Sequence, residues 1–193
     1  MKTRDAIAAA AETVIRDDGV ANLTIATVSK RARVSSALVH YHFATKEKLL
    51  VVAAQRIANG RAVARVAALR SPAGLAMLDA LWASLTSDDG RGSERSWHDV
   101  ALLARSDPLV AGALREARRT ELDALTAVLP DLLGALGGSP DVPMEELAAV
   151  VLAFLDGLAL QVDEGVRPND LRSVYDAFWL ALAAGGVAPV RPS

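Results

Sequence analysis

A chain of 193 residues, 52% of them hydrophobic, is long enough to bury a sizeable core in one compact unit or two small ones, which excludes an intrinsically disordered polypeptide. It contains no cysteine, so neither a disulfide framework nor a thiolate metal centre can be built from it. The net charge of −2 is unevenly spread: residues 1–56 carry nine Lys and Arg against five Asp and Glu, and the remainder twelve against eighteen, so any footprint for an anionic partner falls in the N-terminal quarter.

The first predicted element is a helix from about Thr3 to Gly19, where glycine can take the left-handed terminating conformation. Ile7, Ala10, Ala11, Val14 and Ile15 recur at helical spacing and form one packing stripe. The charged start, Lys2, Arg4 and Asp5, and the alanine-rich amphipathic run behind it lack the apolar core of a signal peptide. No export is predicted, and a cytoplasmic location is expected.

The stretch from Thr24 to Leu50 organises the chain. Thr24 precedes the helix-compatible run Ile25 to Arg31, and Ser35 precedes Ser36 to Tyr41, so each hydroxyl can accept from an otherwise unpaired first-turn N–H. Eleven positions separate the two caps, room only for a short helix and a tight turn. That is helix-turn-helix spacing, in which the second helix enters the major groove of DNA. On this second helix Val39 and Phe43 share one face, whereas Ala37, Leu38, His40 and Tyr41 fall roughly opposite. Thr45 then caps a further helix with Lys46 in its first turn, where a cation opposes the helix dipole unless an anion such as a DNA phosphate lies nearby. Ser36, His40 and Tyr41 can hydrogen-bond base edges, and Ala37 and Leu38 can contact a thymine methyl. Thr24 and Ser35 cap helices in either case and are also candidates for phosphate contact; His42 lies at the edge of the helix.

Leu23-Thr24-Ile25, Val28, Ala32, Val34-Ser35, Val39, Tyr41-His42-Phe43 and Lys46-Glu47-Lys48-Leu49 together resemble the DNA-binding region of the tetracycline-repressor (TetR) family, over roughly residues 5 to 50. Two positions depart from that pattern: Arg33 stands at the turn where glycine is common, and His40 where tyrosine is common. Arg33 is therefore expected to adopt a left-handed conformation at some cost. The resemblance implies DNA contacts from Tyr41 and Lys46, a small-molecule pocket in the remaining domain, and dimerisation through the last two long helices.

The helix begun at Lys46 is expected to reach about Leu69, with Ser71-Pro72 as the break and the start of a helix to about Leu85. Ser87 to Ser93 reads as an exposed loop, Ser93 or Ser96 as the cap of a segment through Arg105, and Asp107-Pro108 as a strong helix start. Val110, Ala113, Leu114 and Ala117 give that helix its stripe, ending by Pro130; a turn of helix at Leu132 to Leu136 and a Gly134 to Pro143 loop follow. Met77, Leu81, Trp82, Trp97, His98 and Leu102 are the candidates to line an apolar effector cavity, with His98 and Asp99 able to orient a polar group; taken singly, each fits ordinary core filling or a solvated polar pair.

The last two helices, about Met144 to Val162 and Asn169 to Ala184, are apolar on broad faces. Periodicity alone leaves open a monomer core or a four-helix dimer interface built from Val151, Phe154, Leu158, Val174, Phe178 and Leu182; the resemblance favours the dimer. The longest apolar run, Leu147 to Leu155, stops at Asp156, too short to span a bilayer. Glu94 and His98 sit four apart, but three histidines in all supply no second metal motif, and no phosphate loop or nucleophile elbow is present.

The expected fold is all-α: a helix-turn-helix DNA-binding domain over residues 1–45 and a helical effector-binding and dimerisation domain over 46–193. The expected function is ligand-responsive transcriptional regulation, most simply repression by a homodimer on a pseudo-palindromic operator, released by a small, largely apolar effector. No cofactor, metal, catalytic residue or membrane partner is expected. The alternatives are an activator or a regulator controlled by a protein partner and, in a different class, a helical carrier or enzyme with an accidental motif. Steeply salt-dependent operator binding separates the last from the others.

Overall fold

Nine α-helices and one 3-10 turn make up the regular structure among residues 3–70, 75–138 and 141–184, which the computed structural model describes. They are α1 (Thr3–Asp18), the 3-10 turn Val20–Asn22, α2 (Ile25–Ala32), α3 (Ser36–Phe43), α4 (Lys46–Leu69), α5 (Leu75–Thr86), α6 (Asp88–Leu103), α7 (Pro108–Ala135), α8 (Met144–Asp163) and α9 (Pro168–Ala183). Lys2, the Ser71-Pro72 break, and Ser139 and Pro140 of the expected loop lie outside the described residues. No described helix is long and apolar enough to cross a membrane.

Two expected interruptions are helical instead. The Ser87 to Ser93 segment is not a loop: Ser87 Oγ accepts from the Gly90 N–H at 3.1 Å, Asp88 and Asp89 occupy the first turn, and Arg91 returns a hydrogen bond to the Thr86 carbonyl at 2.9 Å. A hydroxyl cap and two first-turn carboxylates outweigh the low helix propensity of the glycines. Ser96 accordingly lies inside α6, donating to the Gly92 carbonyl at 2.8 Å, and caps nothing. Pro130 does not end α7 either. It removes one i to i−4 bond, but Leu129, Leu132 and Leu133 are buried and hold the helix across it to Ala135.

Packing divides the described residues into two compact units, one within Met1–Ala62 and Gly92–Arg118, the other within Val63–Arg91 and Arg119–Ser193. These units do not coincide with the boundary expected at residue 45, because α4 is shared between them and most of α6 and the start of α7 join the first.

In the first unit α1 packs on α2 and α3. Its core takes Ile7, Ala11, Val14 and Ile15 from α1, Val28, Val39 and Phe43 from the next two helices, Leu49, Ala53 and Ile57 from α4, and Trp97 and Val100 from α6. In the second unit α5 packs on α8, and Leu81, Leu85, Leu129, Leu147, Val151, Leu155, Tyr175 and Trp179 are among the buried set. Burial pushes the Tyr175 phenol pKa up, so it stays neutral and donates to the Leu78 carbonyl at 2.8 Å, tying α9 to α5.

Candidate nucleic-acid interface

The site is set by two caps and a tight turn. Thr24 Oγ1 accepts from the Thr27 N–H at 3.0 Å while the Thr24 N–H donates to Thr27 Oγ1 at 2.9 Å, a reciprocal box that starts α2. After Ala32 the chain reverses at Arg33, whose φ of 57° and ψ of 43° are left-handed, as its place in the turn predicts. The Val34 N–H then closes onto the Ser29 carbonyl at 3.0 Å. Ser35 Oγ accepts from the Leu38 N–H at 3.2 Å and begins α3, and the hydroxyls of Ser29 and Ser36, 3.2 Å apart, link the two helices across the turn.

Val39 and Phe43 are 0% and 3% exposed, so α3 is fastened by the face its periodicity selects. Ser35, Ser36, Ala37, His40 and Tyr41 are exposed, Leu38 and His42 half-buried. Tyr41 stands out at 83% exposure, its ring meeting that of His42 edge-on with centroids 5.2 Å apart.

At the end of α3, Ala44 takes a φ of 58°, unusual for a residue with a side chain, and turns the chain into α4. Thr45 Oγ1 accepts from the Lys48 N–H at 3.3 Å. Its own backbone N–H and the Thr45 hydroxyl hold the Glu47 carboxyl below the usual carboxylate range. Lys46 is exposed in the same turn, and Lys30, Arg33 and Lys48 are exposed as well.

Ion pairs brace the helices beneath. Arg31 of α2 reaches Asp17 at 2.6 Å and Asp18 at 3.1 Å at the end of α1, and Arg56 of α4 reaches Glu12 at 2.8 Å. The hydrogen bond from Arg31 depresses the Asp17 pKa and raises that of Arg31. Both Arg31 pairs are solvent-exposed and contribute little stability.

The other candidates are placed differently. Met77 and Leu81 are buried and Trp82 half-buried in the second unit, whereas Trp97 is buried in the first, with His98 half-buried and Leu102 67% exposed. The six do not share one unit, and Leu102 faces solvent. Among the interface candidates Val151, Leu158 and Leu182 are no more than 2% exposed within the chain's own core, so they are not at its surface. Val174 is exposed, and Phe154 and Phe178 are half-buried and stacked, centroids 3.8 Å apart. Val150 is exposed too, so the surface stripe of α8 and α9 runs through Val150, Phe154, Val174 and Phe178.

Sequence reasoning missed two buried arginines of α4. Arg61 Nε donates to Glu94 at 2.9 Å, and its guanidinium lies 4.2 Å from the centroid of the Trp97 ring. Arg65 meets Asp156 at 3.0 Å and Glu121 at 3.6 Å. Ala54, Ala58, Arg61, Ala62, Arg65 and Leu69 recur at helical spacing, so the signal was a pair of arginines inside an apolar stripe. Glu94 is thereby engaged with Arg61, and no cluster of three or more metal-ligating side chains occurs among the described residues.

Residues 7–53 match the model of the bacterial regulatory proteins of the tetR family. No curated protein matches the chain. Among solved structures, a transcriptional regulator from Rhodococcus sp. Rha1 is similar at 25% identity and a TM-score of 0.76, over 97% of this chain and 100% of that one. A protein described as a transcriptional regulator from Saccharomonospora viridis, solved in complex with choline, is 24% identical with a TM-score of 0.75, over 91% and 94%. A protein described as a TetR-family transcriptional regulator from Rhodococcus sp. shares the fold at 20% identity and a TM-score of 0.70, over 90% and 94%.

Proposed function

We propose that this chain, whose residues 7–53 match the model of the tetR family of bacterial regulatory proteins, is a repressor that binds a pseudo-palindromic operator as a homodimer and releases it on binding a small molecule. The observation that carries this reading is the exposed face of α3, with Tyr41 83% exposed above the buried Val39 and Phe43. Ser36, Ala37, Leu38, His40 and Tyr41 then face base edges, while Thr24, Ser35, His42 and Lys46 contact the backbone.

Two such heads reach successive major grooves about 34 Å apart. Dimerisation falls to the surface stripe of α8 and α9 through Val150, Phe154, Val174 and Phe178, since Val151, Leu158 and Leu182 are used inside the chain. Residues 1–45 serve as the DNA-binding domain, and residues 46–193 take the effector and the partner. The choline held by the similar Saccharomonospora viridis protein supports a small-molecule effector. That ligand must bind the two head arrangements with different affinity, by about 1–3 kcal/mol, and α4 is the continuous element that carries the difference.

Fluorescence anisotropy on DNA flanking the chain's own coding region, against random DNA of the same length, tests the reading. Tight binding to the flanking DNA alone is expected; equal weak binding to both, persisting after selection from a random DNA library, contradicts it.

A further inference from the structure

Inside the first unit a cavity of about 360 Å³ opens between the start of α1, the end of α3, the first turns of α4 and the start of α7. Phe43, Val51, Val52 and Leu109 give it an apolar wall, and Arg4 and Lys48 stand on its lining. Gln55 and Leu109 also line a second cavity of about 410 Å³, which continues the groove along α4 to Asn59, past the small residues Gly112 and Ala113. From Lys48 to Asn59 the helix advances about 16 Å, so the groove is elongated.

Its charges are unequally engaged. Asp107 Oδ1 accepts from the N–H groups of Leu109 and Val110, at 2.9 and 3.2 Å, and Glu47 is occupied by the first turn of α4. Arg4 rests its guanidinium 5.1 Å from the Phe43 ring centroid, and neither it nor Lys48 forms an ion pair with any described residue. Leu109 remains 67% exposed, a large apolar side chain beside two unpaired cations. Phosphate alone would satisfy the cations and leave the apolar wall wet; a purely apolar body would leave the cations unanswered.

We propose that this groove binds an amphipathic monocarboxylate, its head group between Arg4 and Lys48 and its apolar body along Phe43, Val51, Val52 and Leu109. The site takes Arg4 and Phe43 from the domain proposed to bind DNA and lies beside the α3–α4 junction that carries Lys46. A ligand here therefore acts on the DNA-binding unit itself. That consequence rests on the DNA-binding reading, whereas the binding event does not.

The test is calorimetric titration of the full chain, without DNA, using decanoate and two probes of equal chain length, decan-1-ol and decyltrimethylammonium. Saturable decanoate binding is expected, at least about tenfold tighter than either probe, and weakened at least about tenfold in the Arg4→Gln/Lys48→Gln variant. Leu109→Asp, at an exposed position that leaves the fold intact, is expected to weaken decanoate as well. Absence of saturable decanoate binding, equal binding of all three probes, or unchanged decanoate affinity in the Arg4→Gln/Lys48→Gln variant overturns the proposal, the last by placing the bound decanoate elsewhere.

Discussion

Glu94→Ala is expected to be among the most damaging single substitutions in the first unit, although the residue touches none of the proposed DNA-binding surface. Its carboxylate meets the Arg61 guanidinium at 2.9 Å, with the two side chains 3% and 1% exposed, and the same guanidinium lies over Trp97. Removing the carboxylate takes a counter-charge at 2.9 Å from an arginine that is itself 1% exposed, a loss of about 3–5 kcal/mol. For a chain of this length that corresponds to a fall in melting temperature of roughly 6–20 °C, read by circular dichroism. Replacing both partners by apolar groups in Arg61→Met/Glu94→Leu removes the desolvated charges together, and stability is expected to return to within about 1 kcal/mol of wild type. A Glu94→Ala loss below about 1 kcal/mol, or a double variant no more stable than the single one, would refute the reasoning.

Three further outcomes follow from local geometry. A methyl group at Gly60, in the exposed middle of α4, meets nothing within 4 Å, so Gly60→Ala is expected to stabilise by about 0.5–1 kcal/mol; at Gly90 the same atom would lie 2.4 Å from the Ser84 carbonyl oxygen, and Gly90→Ala is expected to cost about 1–3 kcal/mol in denaturant titrations. Arg33 pays for a left-handed conformation with a side chain, so Arg33→Gly should raise stability by about 1 kcal/mol, and an unchanged or lower denaturation midpoint would count against the strain. Arg31 holds the Asp17 pKa below 3.8 in the folded chain, so its contribution is present above that value and lost as pH falls through the lower folded one. Asp17→Asn should accordingly narrow the stability gap between neutral pH and pH well below 3.8, a difference that parallel melting curves would reveal.

The head was legible because its signals are local. Hydroxyls at Thr24, Ser35 and Thr45 stand before helix-compatible runs, and each accepts the N–H its position predicts. The inward turn of Val39 and Phe43 follows from the helical repeat alone. The interruptions were harder. Glycine, serine and aspartate around residue 90 read as a loop by composition, but Ser87 and the paired aspartates make the same residues a capped helix start. Pro130 was overridden by leucines on both sides of it. Periodicity identified α8 and α9 as heavily apolar but could not tell their inner row, Val151 and Leu158, from the outer row, Val150 and Phe154, since both rows are apolar. Arg61 and Arg65 were hidden for a further reason: their partners Glu94, Glu121 and Asp156 come from three other helices, and no local pattern announces such pairings.

The central claim is that the exposed face of α3, with Lys46 at the head of α4, grips DNA. Its most direct test is the dependence of operator affinity on salt for wild type and Lys46→Ala, followed by anisotropy. Each phosphate left without its lysine should reduce the log–log slope by about 0.9, hence by about twice that in a homodimer, where two phosphates are affected. Tyr41→Ala should weaken the operator complex while leaving the weak binding to random DNA nearly unchanged. A Lys46→Ala protein with wild-type affinity and wild-type slope would contradict the account.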